Sequence, residues 1–168
     1  WARRLTPVVV GVANVGQAAP AIGLLVLFFL FNGGTTGFWI AVLPIAVYTV
    51  LPVLRNTMVG LQQVDPLLID AGRGIGMSAT KVLLRIELPL SVPYILAGLR
   101  TALVLAVGTA TLAWIVGAGG LGELIDTGYK LNDWTTMSTG AVLAMALGLL
   151  VDWVGALAQR YLSPKGLR

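Results

Sequence analysis

The side chains able to do chemistry in this chain are few, and their types exclude most enzymology. None of the 168 residues is Cys or His, which removes thiol catalysis, disulfide staples and the common zinc sites. No G-x-x-x-x-G-K-[ST] loop is present, so nothing here hydrolyses ATP, and no catalytic residue or metal site is assigned. The run 117–122, G-A-G-G-L-G, fits G-x-G-x-x-G in form only. A dinucleotide fingerprint needs a preceding strand and a βαβ unit, whereas this run follows an apolar helix and reads as a flexible turn. What remains are charges in unusual company. Asp152 lies about 12 Å inside Arg160 along an apolar helix, where a carboxylate is costly unless paired or hydrated. A proton or cation pathway is the sharper reading of Asp152. A structural bond to another helix, with Arg100 as one candidate, is the favoured one. Arg100 itself lies about 10 Å beyond Pro93, within snorkelling reach of a membrane surface, and that reading ranks above substrate contact.

The elements that position these residues are membrane helices. With 57% hydrophobic and 11% charged residues, the chain has the composition of a membrane protein, and one domain spanning 1–168 is expected. Apolar runs predict four spans, over 7–31, 38–54, 93–116 and 136–161. In the first, Asn14, Gln17 and Ala21 share a face, with Pro20 between them freeing a backbone carbonyl. Buried amides need partners, so this face points into the bundle, as interhelical glue or as part of a translocation pathway. The second carries Pro44 and Pro52 and is expected to end at Arg55. In the third, Gly98, Ala102, Ala106 and Ala110 form a ladder of small residues suited to close helix packing. Thr109 and Thr111 are candidate pathway residues there, although hydroxyls bonded back to their own helix are the commoner case. An acidic loop carrying Glu123, Asp126, Lys130 and Asp133 leads into the last span.

Between the second and third spans lies a charged, Gly-punctuated segment, 65–89. Asp65 before Pro66 predicts a capped short helix to about Arg73, broken by Gly74 and Gly76. Ser78 predicts the cap of a second short helix with an apolar stripe of Ala79, Val82, Leu83 and Ile86, ended by Pro89. Placing this segment on the cytoplasmic side puts Arg3, Arg4, Arg55, Arg73, Lys81, Arg85, Arg100, Arg160, Lys165 and Arg168 inside, with Lys130 alone outside. That satisfies the positive-inside rule, with both ends of the chain cytoplasmic. Trp39, Trp114 and Trp134 then fall near the outer ends of spans. Spread along loops in this way, the net charge of +4 is a feature of topology and points to no nucleic-acid partner.

The order Asp70-Ala71-Gly72, then Gly76, then nine residues to Ile86-Glu87-Leu88-Pro89 resembles the E-A-A, x3, G, x9, I-x-L-P signature of permease subunits of ATP-binding-cassette (ABC) importers. Asp stands where Glu is usual and Gly where Ala is usual. The segment from Asn14 to Pro20, the turn at 117–122 and the tail at 162–168 resemble the osmoprotectant group, which handles glycine betaine, carnitine and choline. The resemblance implies an all-α polytopic helical bundle, with about four transmembrane helices and a cytoplasmic coupling helix pair, in the bacterial inner membrane. It implies that Asp70, Ala71, Gly72 and Gly76 dock on a cytoplasmic ATPase while Ile86, Leu88 and Pro89 anchor the second helix. It further implies a second permease copy, two ATPase subunits that carry the ATP and magnesium, and an extracytoplasmic solute-binding protein. The family carries at least one more helix upstream, so a truncated chain is expected. Methionine-type amino-acid importers share the Gly-rich turn and are the alternative. A channel or carrier independent of an ATPase, with Arg100 and Asp152 as its working charges, is a reading of a different class.

Overall fold

A computed structural model describes Gly11, Asn14, Gly16 and residues 19–162. Gln17, Arg3, Arg4, Lys165, Arg168 and the tail beyond Leu162 lie outside the described residues. Every regular element among those described is helical. The single span expected over 7–31 is interrupted: Gly11, Asn14 and Gly16 are helical, Ala19 bends, and Pro20 is extended at φ −64°, ψ 130°. Proline lacks the N–H that would continue the helix and biases the residue before it away from helical angles. Helix α1, Ala21–Phe31, starts afresh after it. The turn that follows uses Gly33 and Gly34 at positive φ.

Helix α2, Phe38–Gln62, is longer than expected, since Arg55 lies inside it and does not end it. Pro44 and Pro52 are accommodated within the helix and are buried. Helix α3, Pro66–Gly74, begins as its sequence predicts, with the Asp65 carboxylate accepting from Leu67 N at 2.9 Å. Gly76, at φ +82°, makes the break, and Ser78 Oγ accepts from Lys81 N at 3.4 Å to cap the next helix.

That next helix, α4, overturns one expectation. It runs unbroken over Ala79–Thr111, 33 residues, so Pro89 ends nothing and Pro93 starts nothing. The second half of the expected helix pair is the first part of this one long helix. Residues Leu83–Glu87 form a π-helical turn, with Leu88 N donating to Leu83 O, before α-helix resumes over Leu88–Thr111. A widened turn is one way a helix admits a proline ring, and Ser91 Oγ donates to Glu87 O at 2.7 Å beside it. After a 3₁₀ turn, Ala113–Val116, and left-handed Gly117, the expected loop proves to contain helix α5, Leu121–Lys130. Helix α6, Trp134–Leu162, closes the described chain.

Glycines set the packing. A Cβ on Gly98 would lie 2.8 Å from Asn56 Cβ and 3.0 Å from Pro52 O, and one on Gly60 would lie 2.8 Å from Tyr94 Cβ, so α2 and α4 touch almost backbone to backbone. Gly128 and Gly140 do the same between α5 and α6, against Met137 and Ile125. A small core of Leu25, Ala41, Ala113 and Val116 joins α1, α2 and the 3₁₀ turn. Among the described residues three helices, α2, α4 and α6, are long and apolar enough to cross a membrane. Of the fourth span expected, Gly11, Asn14, Gly16 and helix α1 are the described helical parts.

Candidate coupling site and intramembrane ion pair

The hairpin of α3 and the first turns of α4 is held from within by Gly72. It is buried, and a Cβ there would lie 2.7 Å from Ile86 Cδ1 and 3.5 Å from both Met77 Sδ and Val82 Cγ2. Gly72 therefore packs the hairpin on Ile86, while Asp70, Ala71 and Gly76 are exposed. A Cβ on Gly76 would meet nothing within 4 Å, which leaves its surroundings open. On the hairpin's open side a groove of about 470 Å³ is lined by Leu68, Ala71, Ile75, Arg85, Ile86 and Pro89 among others. Leu67 and Ile75 are 74% and 79% exposed, so this short helix presents large apolar side chains to its surroundings. The arrangement holds no acid–base or nucleophilic constellation. It is a shaped apolar surface with a charged rim, suited to gripping another protein.

Of the residues expected in a pathway, Gln17 lies outside those described. Thr109 is buried and donates to Leu105 O at 2.8 Å, and Thr111 donates to Val107 O at 2.9 Å, so both hydroxyls serve their own helix. Asn14 is exposed. A different groove, about 370 Å³, opens between α2 and α4, where Thr49 and Thr57 stand above Leu99, Ala102 and Ala106. Their hydroxyls, too, donate within their own helix, to Ile45 O at 2.9 Å and to Val53 O at 2.7 Å.

Arg100 and Asp152 meet across α4 and α6. Nε and Nη2 of the guanidinium donate to Oδ1 and Oδ2 of the carboxylate, both at 2.6 Å, in the fork geometry that suits this pair. Seven residues along each helix, Gln159 Nε2 donates to Pro93 O at 3.4 Å, so the two helices are tied at two levels. At the opposite end from the hairpin, Asp133 caps α6 by accepting from Thr135 N, Thr136 N and Thr136 Oγ1. The Thr136 hydroxyl is the main cause that holds this carboxyl below the usual aspartate range.

Long apolar helices with an amphipathic hairpin hung between two of them are the architecture of an integral membrane protein. The family of binding-protein-dependent transport system inner membrane components matches residues 1–165, and this chain belongs to it. It is 38% identical over 160 residues to the glycine betaine/carnitine/choline transport system permease protein OpuCB of Bacillus subtilis (strain 168), covering 95% of this chain and 73% of that protein. It is 37% identical over 166 residues to the osmoprotectant import permease protein OsmW of Salmonella typhimurium, covering 97% and 77%. Among solved structures it is similar to an inward-facing MetNI methionine ABC transporter, with a TM-score of 0.80 and 26% identity over 92% of this chain and 74% of that one.

Proposed function

We propose that this chain is the permease subunit of an ATP-driven ABC importer that moves glycine betaine, choline or carnitine inward by alternating access. The observation that carries the reading is the exposed hairpin of α3 and early α4, whose motif residues Ala71, Ile86 and Pro89 line one groove. Docked in a cleft of a cytoplasmic ATPase, that hairpin would pass nucleotide-driven closure directly into α4, because no loop separates the two. Residues 1–168 act as one transmembrane unit with 65–89 as its coupling segment and both ends of the chain cytoplasmic. Two such chains pair, with two ATPase subunits holding ATP and magnesium and a solute-binding protein delivering cargo outside. Nucleic acid has no part. Names of the similar permeases support the osmoprotectant class.

The test is co-purification with the ATPase, abolished by Gly76→Trp or Ala71→Trp. Methionine is the second reading, favoured by the likeness to the methionine transporter, and uptake of labelled betaine against labelled methionine by the reconstituted complex separates the two. The engagement of Arg100 with Asp152 weighs against an ATPase-independent carrier, since the charges such a carrier would use satisfy each other.

A further inference from the structure

At the end of the bundle away from the hairpin, α5 folds back over the last turn of α4. Gly122 makes this possible: a Cβ there would lie 1.8 Å from Thr111 O and 2.7 Å from Trp114 Cδ1. One turn further along α5, Asp126 shares the face of Gly122, and its side chain is 13% exposed. One turn beyond that, Lys130 reaches back. Its ammonium pairs with Asp126 Oδ2 and sits 5.5 Å from the centre of the Trp114 ring. A carboxylate largely withdrawn from water and an aromatic face thus hold one cation between them. The cation is supplied by an arm that is 66% exposed and has four rotatable methylenes.

Each contact made by Lys130 is of a weak class. The lysine end of both contacts is exposed, and an i,i+4 ion pair and a cation–π contact made by such an arm yield to a competing ion. A ring quadrupole and a carboxylate also attract an alkylated ammonium, by charge alone and without the hydrogen bond that Lys130 donates. We propose that Trp114 and Asp126 form a quaternary-ammonium site on the outer face, plugged in the free chain by Lys130 and opened when a cationic headgroup displaces it. The inference rests on the osmoprotectant reading for its ligand class and on the proposed topology for its side of the membrane. It gives the permease a point of contact with cargo separate from the solute-binding protein.

The test uses the full chain in nanodiscs of phosphatidylglycerol, titrated with tetramethylammonium. The readout is the ¹⁵N indole resonance that disappears in Trp114→Phe. The expected result is a saturable shift whose midpoint falls about fivefold in Lys130→Ala, as removal of a weak plug requires, and rises in Asp126→Asn. No saturable shift, or a midpoint indifferent to Lys130→Ala, overturns the proposal. In phosphatidylcholine nanodiscs without added ligand, an unshifted resonance supports a free solute as the ligand. A resonance already at its saturated position there makes the lipid headgroup the ligand and overturns the cargo role. Because the titration needs neither ATPase nor uptake, a negative result leaves the co-purification test of the importer reading untouched.

Discussion

Arg100 and Asp152 form a two-pronged ion pair between α4 and α6, with side chains 36% and 40% exposed in the single chain. Removing one member leaves the other without its partner inside an apolar layer, while removing both leaves an ordinary apolar contact. Asp152→Leu should therefore lower the thermal midpoint in detergent, and Arg100→Leu/Asp152→Leu should recover most of it. Asp152→Asn keeps the shape and one acceptor, so uptake should remain at about half of wild type or better. Severe loss of uptake at normal expression in Asp152→Asn would make the pair a working element of transport.

The close approach of α2 and α4 gives a paired prediction. Gly98→Leu must push α2 away from α4 and should cost about 1–3 kcal/mol, read as a lower midpoint in detergent. Gly108, on the same helix, has nothing within 4 Å of its Cβ position. Gly108→Ala should leave the midpoint unchanged or raise it, by up to about 1 kcal/mol of helix propensity. Equal losses in the two variants would mean that helix contact is not what Gly98 supplies.

Acid should weaken the cap of α6. A carboxylate whose pKa is depressed on folding contributes stability that is present above its unfolded pKa. That contribution is lost as pH falls through the lower, folded value. The Asp133 carboxyl is depressed in this way, chiefly by the Thr136 hydroxyl, then by Thr136 N. The thermal midpoint should therefore fall on acidification below about pH 4, and Asp133→Asn should show a shallower fall. A pH profile identical to wild type in Asp133→Asn would remove the cap from the account.

Within the hairpin, fold and docking can be separated. Any L-residue at Gly76 must adopt φ +82°, at a cost of about 1–2 kcal/mol, so Gly76→Val should lower both the midpoint and ATPase co-purification. Ala71→Trp adds bulk at an exposed helical position and should abolish co-purification with the midpoint preserved. Retained co-purification in Ala71→Trp would place the docking surface elsewhere.

Much of this was legible because local chemistry decides it. Asp65 before Pro66, Gly76 after Gly74 and Ser78 before an apolar stripe each act within one turn, and the hairpin follows them. The partnership of Arg100 with Asp152 was foreseeable because an intramembrane carboxylate has few alternatives. Helix α5 was not, since Gly122 and Gly128 both argue against a helix in isolation. Their helical cost is offset by contacts with Thr111 and Met137 that only the folded chain contains. Proline misled in both directions. Pro20 does break its helix, whereas Pro89 and Pro93 ride inside α4, where a π turn and the Ser91 hydroxyl accommodate the strain. Gly72, expected on the docking surface by its place in the motif, lines the hairpin groove and also packs under Ile86, a second role that spacing alone does not reveal.

The continuity of α4 has a mechanical meaning. One of its closest approaches to α2, at Gly98, lies 19 residues from Ala79 and 13 from Thr111, or about 29 Å and 20 Å along the axis. Were that contact a fulcrum, a sideways stroke at the hairpin would reappear near Trp114 reversed in direction and reduced by about a third. In the importer proposed above, one uninterrupted piece of backbone would then join the two mouths of the bundle.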